Sequence, residues 1–212
     1  MAHHYIAVEG PIGVGKTTVV DRLAERLDAN KVLEDWATNP FLRPFYDSQP
    51  GAAFQVELFF LLSRYRQQQE LLQRQLFAQA TLSDYVFEKS RLFAYLNLDD
   101  SELLIFDKLF SLLSEGVPKP DLVVYLQAPT EVLVKRVRAR GRAEEANFSE
   151  EYLAEVNRAY NHYFFHYGAT PLLVVNTADV DFVKNPEDTD DLLKQIRGMG
   201  KGTQYYVPRS RT

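Results

Sequence analysis

Gly10, Pro11, Ile12, Gly13, Val14, Gly15, Lys16 and Thr17 stand directly behind an apolar run, Tyr5 to Val8, and open an amphipathic pattern, Thr17 to Leu27. This is G-x-x-x-x-G-K-[ST] in a strand-to-helix context, a phosphate-binding loop. The glycines let backbone N–H groups turn inward around a phosphate where a β-carbon would obstruct, and the helix behind adds the positive end of its dipole. The motif assigns Lys16 to the β- and γ-phosphates and the Thr17 hydroxyl to Mg²⁺, with Thr18 completing the ATP-binding stretch. Lying between an apolar strand and an amphipathic helix at the start of the chain, the motif establishes nucleotide binding and leaves the acceptor to be read from the rest of the sequence.

The rest of the chain agrees. Short apolar runs recur at Val32–Leu33, around Thr81–Leu82, at Leu122–Leu126 and at Leu172–Val175. Between them lie helical patterns at Thr17–Leu27, Ala53–Ala80, Leu92–Glu115, Thr130–Arg138, Ser149–Tyr167 and Pro186–Arg197. Alternation of this kind predicts a three-layer α/β/α domain around a parallel sheet of about five strands. With 212 residues the chain holds one such domain, expected over 1–197, followed by a tail at 198–212 that is mobile or loosely docked.

Composition narrows the partners. A net charge of -5 and a pI near 5.4 argue against a nucleic-acid polymer. The absence of cysteine excludes disulfides, thiolate metal sites and a cysteine nucleophile. His3, His4, His162 and His166 have no partners at metal-ligand spacing. No apolar run approaches the length of a membrane span, and the cytoplasm is the expected compartment.

Against this acidic background Arg136, Arg138, Arg140 and Arg142 form a local cationic cluster around Gly141. Arg136, Arg140 and Arg142 are candidates for a lid at 136–147 that stabilises charge on a transferring phosphoryl group and excludes water. Arg138 reads as solvated.

Beyond the phosphate loop, the chain carries Glu34 after the second strand, Asn39-Pro-Phe-Leu with Phe45-Tyr46, Phe54-Gln55, Leu-Phe-Ala at 92–94, the Arg-rich lid, Glu150-Glu151-Tyr152-Leu153 and Asp181-Phe182. In this order the residues resemble the deoxynucleoside kinase family, over Gly10 to about Ile196. The resemblance implies transfer of the γ-phosphate of ATP to the 5′-hydroxyl of a deoxynucleoside, with a purine base favoured, and a homodimer. It assigns Glu34 to the 5′-hydroxyl as general base, Tyr46 and Glu151 to the 3′-hydroxyl, Gln55 to the base edge, Phe54 and Phe93 to the base faces, and Asp181 and Phe182 to the neighbourhood of adenine. Trp36 lines the pocket or caps the core.

At the third strand the chain departs from the family's acid–Arg–Ser triplet and reads Ser83-Asp84-Tyr85. Asp84 then serves Mg²⁺, the base role, or both, and the transition-state charge rests on Lys16 and the lid. Arg64 is a further candidate for a base or phosphate contact. Two other functions compete. A nucleoside monophosphate kinase, acting for example on thymidylate, would set its acceptor phosphate against Glu34. A non-catalytic ATP-binding switch would leave Glu34 and Phe54-Gln55 unexplained.

Overall fold

The structure is a computed structural model that describes residues 3–74, 80–142, 149–182 and 185–208. Lid residues 143–147 and tail residues 209–212 lie outside the described residues. In chain order the elements are β1 (Tyr5–Glu9), α1 (Lys16–Leu27), β2 (Asn30–Val32), α2 (Leu42–Tyr46), α3 (Ala52–Arg74), β3 (Thr81–Ser83), α4 (Lys89–Asn97) and α5 (Asp100–Ser114), then β4 (Leu122–Gln127), α6 (Thr130–Arg140), α7 (Glu150–Phe165), β5 (Leu172–Asn176), α8 (Pro186–Gly198) and β6 (Thr203–Tyr206).

The strands form one sheet in the order β2-β3-β1-β4-β5-β6, with every pairing parallel. Alternation within each strand divides the core between the two faces. Ile6, Val8, Leu122, Val124, Leu126, Leu173 and Val175 pack with α1 and α8. Ala7, Val123, Tyr125, Leu172 and Val174 turn the other way, toward Leu92 and Phe93 of α4 and Val156, Tyr160 and Phe164 of α7. A third cluster, around Leu61, Phe87, Ala94, Phe106 and Phe110, joins α3, α4 and α5.

Two features differ from expectation. The sheet has six strands rather than about five, because Thr203–Tyr206 pairs with β5 from Leu172↔Thr203 to Val175↔Tyr206. The strand lies within the segment read as a tail, where its four residues carry too little apolar alternation to stand out. The continuous pattern expected over 92–115 is two helices. Asp99 accepts from the backbone N–H groups of Ser101 and Glu102 at 2.9 Å each, and Glu102 reaches back to the Asp99 N–H, a capping box that starts α5 anew.

The chain runs from β1 outward to β2, back through β3, and then to β4 on the other side of β1. The order in which strands are added therefore reverses at β1, and a topological switch point of this kind places a ligand crevice at the carboxyl end of β1. The phosphate loop lies at this crevice.

Candidate active site

The phosphate loop is built by close packing. Gly10 has φ +151, and a β-carbon there would sit 2.4 Å from the Leu126 carbonyl oxygen. Gly13 has φ +85, and its β-carbon would meet Val137 Cγ2 of α6 at 2.7 Å and the Leu133 oxygen at 3.0 Å. Only glycine fits either position. The buried Glu9 carboxylate anchors the loop's start, accepting from Gly10 N at 2.8 Å and Val86 N at 3.1 Å. Burial raises its pKa against the opposing charges of Lys89 and Lys16. Lys16 Nζ donates to the Gly10 and Pro11 carbonyls at 2.6 and 3.2 Å. Burial, reinforced by the Lys89 charge, pulls it down to about 8.

Two clefts flank this loop and share Gly13, Lys16, Thr17, Arg140 and Arg142. One runs past Thr18, Arg136, Asp181 and Phe182. The other runs past Glu34, Trp36, Tyr46, Arg64, Asp84 and Phe93. The shared wall is thus phosphate loop on one side and lid arginines on the other.

In the second cleft Glu34 is the hub. Arg64 donates to its Oε1 through Nε at 2.8 Å and Nη2 at 2.5 Å, and Lys89 Nζ donates to Oε2 at 2.6 Å. Arg64 Nη1 is fixed in turn by Ser90 Oγ at 2.7 Å. Burial would raise the Glu34 pKa, but the two cations outweigh it and hold the carboxyl well below the ordinary range. Asp84 sits next to it, accepting from Thr17 Oγ1 on Oδ2 at 2.8 Å and from Glu34 N on Oδ1 at 2.7 Å. A hydroxyl and a carboxylate this close to the phosphate loop are hard oxygen donors, a set that suits Mg²⁺. Among the described residues no group of three or more His, Cys, Asp or Glu side chains is placed to hold a metal ion.

The lid residues divide. Arg142 lies over the Trp36 ring, 3.9 Å from its centroid, so Trp36 belongs to the cleft wall. Arg136 is drawn into the protein. Its Nη2 donates to the Thr177 and Val180 carbonyls at 2.6 and 3.0 Å, and its Nη1 to the Val14 carbonyl at 3.3 Å. It staples the phosphate loop to the turn that carries Asp181 and Phe182. Arg138 pairs with Glu150 at the surface.

Three expected acceptor residues are not brought to the cleft. Gln55 is exposed, and Phe54 packs in the core cluster of α3, α4 and α5. Their places in the wall are taken by Val56 and Glu57. Glu151 is exposed in the first turn of α7, where the helix dipole favours an acid, and the neighbouring Tyr152 lines the cleft. Sequence reasoning also missed Lys89, which supplies a cation beside Glu34 although no arginine follows Asp84. A lone lysine in Phe87-Glu-Lys-Ser-Arg carries no signal until α4 is folded against the segment that follows β2.

A parallel sheet with a phosphate loop at its switch point, flanked by two clefts that meet under arginines, defines a P-loop phosphotransferase. The family model for deoxynucleoside kinase matches residues 6–199, and the chain belongs to that family. The deoxyguanosine kinase of Bacillus subtilis (strain 168) is 33% identical over 91% of this chain and 96% of its own. The deoxyadenosine/deoxycytidine kinase of the same organism is 28% identical, over 90% of each chain. Among solved structures, deoxyadenosine kinase from M. mycoides with products bound superimposes with a TM-score of 0.77 at 21% identity, covering 92% of this chain and 98% of that one.

Proposed function

We propose that the chain transfers the γ-phosphate of ATP to the 5′-hydroxyl of a purine deoxynucleoside. The observation that carries this reading is the meeting of the two clefts at Lys16, Thr17, Arg140 and Arg142, with an ionised carboxylate, Glu34, on one side of the junction only. ATP occupies the cleft of Asp181 and Phe182 with its phosphates in the loop. The deoxynucleoside occupies the other cleft and presents its hydroxyl to Glu34.

Phosphoryl transfer of this kind is catalysed by alignment and charge stabilisation rather than by a covalent intermediate. Glu34, kept ionised by Arg64 and Lys89, accepts the hydrogen bond of the 5′-hydroxyl and takes its proton late in the transfer. Lys16, Arg140 and Arg142 surround the moving phosphoryl group. Thr17 and Asp84 would hold Mg²⁺, which when bound neutralises charge on the phosphates. Tyr46 and Tyr152 stand in the cleft wall where the sugar would lie, and Phe93 presents a ring to the base. The carboxylate argues against an acceptor that already carries a phosphate, and the purine preference draws on the deoxyguanosine and deoxyadenosine kinases among the relatives.

A cytoplasmic homodimer belongs to the same reading. Leu104, Ile105, Leu109 and Leu112 expose an apolar strip along α5, with Leu62 and Tyr95 also exposed on α3 and α4. No helix among the described residues is long and apolar enough to cross a membrane. Light scattering that finds only a 24.4 kDa species at micromolar concentration would remove the dimer.

The reading is tested by ADP release with each of four deoxynucleosides and the corresponding monophosphates. Turnover is expected with at least one deoxynucleoside and not with monophosphates. ADP release that needs no acceptor, or needs a monophosphate, overturns it.

A further inference from the structure

The acceptor cleft contains a carboxylate that phosphoryl transfer does not use. Glu57 lies on α3, is 3% exposed, and lines the cleft beside Phe60, Phe93 and Tyr152. Its Oε1 accepts from Asn97 Nδ2 at 2.8 Å. Its Oε2 is buried with no hydrogen-bond partner among the described residues. Burial pushes the carboxyl up to about 7, against the Asn97 hydrogen bond and the charges of Arg64 and Lys89, with Glu34 adding to the rise. A buried acceptor left unsatisfied is costly, while its neighbours Glu34 and Arg64 are fully engaged. This part of the wall is complete only when a donor arrives from the cleft.

We propose that Glu57 determines the base specificity of the acceptor cleft, and that its unpartnered carboxylate oxygen selects guanine through the N1–H and 2-amino donors. The inference rests on the reading of this cleft as a deoxynucleoside site. A carboxylate presents only acceptors. Guanine alone among the four bases sets two donors side by side on its Watson–Crick edge. Adenine and cytosine place a ring-nitrogen acceptor beside their amino group, and thymine flanks its single N–H with carbonyls. Each would set a lone pair against Glu57. Asn97 orients the carboxylate from behind without occupying Oε2, and Phe60 and Phe93 supply apolar surface for a planar base. Arg64 and Lys89 favour the ionised form, the form that guanine recognises.

The test is kcat/KM for deoxyguanosine, deoxyinosine, deoxyadenosine, deoxycytidine and thymidine, on the full chain and on Glu57→Gln. Deoxyguanosine is expected to exceed deoxyadenosine by roughly 10²-fold or more, since a site built for a hydrogen bond rejects a base that cannot make it. Deoxyinosine keeps N1–H and lacks the 2-amino group, and is expected to lose about 10-fold or more. In Glu57→Gln the amide offers one donor and one acceptor, and the guanine-to-adenine ratio is expected to fall by roughly 10²-fold or more. Equal loss on all substrates in Glu57→Gln would show a merely structural role. Efficient turnover of deoxyadenosine or a pyrimidine by the unaltered chain would also overturn the proposal. If Glu57→Gln does not fold, the deoxyinosine comparison on the unaltered chain decides alone. Absence of turnover with every deoxynucleoside would instead strike the reading of the cleft itself, and the inference with it.

Discussion

Thr17 Oγ1 donates to Asp84 Oδ2 at 2.8 Å, so the phosphate loop and the end of β3 are joined by a side-chain bond. Because Asp84 also holds the Glu34 backbone N–H, one carboxylate positions both the loop and the residue proposed to face the acceptor. Asp84→Asn keeps an oxygen for one of these bonds and loses the negative charge. The apparent Mg²⁺ requirement is expected to rise about 10–100-fold, with kcat partly restored at high Mg²⁺. Activity that is lost at every Mg²⁺ concentration would make Asp84 the base.

Glu34→Gln keeps shape and removes the proton acceptor, so kcat is expected to fall by about 10²–10⁴-fold. The same change leaves Arg64 and Lys89, both buried, without their shared anion. Breaking a buried pair in this way costs about 3–5 kcal/mol, so a lower Tm is expected alongside the kinetic defect. Because the Glu34 pKa is depressed in the folded state, its stabilisation is present above the unfolded carboxylate range and is lost as pH falls below it. Acid unfolding of the unaltered chain and of Glu34→Gln should therefore converge. Parallel curves at all pH values would contradict the pairing.

Glu57 predicts the opposite slope. Its pKa is raised to about 7 from 4.5, so its contribution is full below 4.5 and is lost as pH rises through 7. Glu57→Gln removes that loss. The variant is expected to be more stable than the unaltered chain at alkaline pH, by on the order of 3 kcal/mol, and no more stable at acid pH. Denaturant melts across pH check this without reference to substrate.

Lys16→Ala should abolish turnover at saturating ATP while leaving the fold intact, because it deletes the charge nearest the transferred phosphate. A second readout follows from its pKa of about 8. Phosphates brought against Lys16 favour its charged form, so ATP binding near pH 8 should take up part of a proton, visible in calorimetry as a dependence on buffer ionisation enthalpy. The uptake should vanish in Lys16→Ala.

Trp36 is the single tryptophan in the chain, and Arg142 stacks on it. Its fluorescence should respond to occupancy of the cleft, and Arg142→Ala should alter its emission before any ligand is added. An emission spectrum indifferent to both would separate Trp36 from the lid.

The sequence made the layered fold and the phosphate loop legible, since each depends on a pattern local to a few residues. Contacts between distant segments were not legible. Gln55 and Glu57 show why: two positions on a helix point about 200° apart, so choosing the wrong one of the pair exchanges the cleft for solvent. Glu151 and Tyr152 differ by about 100° with the same result. Lys89 and the Arg136 staple depend on how α4 and α6 meet their neighbours, which no spacing along the chain encodes. The break before α5 was written in Asp99 and Glu102, but the apolar rhythm on either side concealed it.

Helix α6 rests on Gly13 so closely that a methyl group would collide with it. The gap between the loop that cradles phosphate and the helix that leads to Arg140 and Arg142 is therefore set by atomic contact, in the manner of a machinist's shim. Whatever tolerance the chemistry enjoys at that end is the tolerance of a packed interior. Substitutions in α6 that never touch a substrate, at Leu133 or Val137, would register as a misalignment of charge as well as a loss of stability.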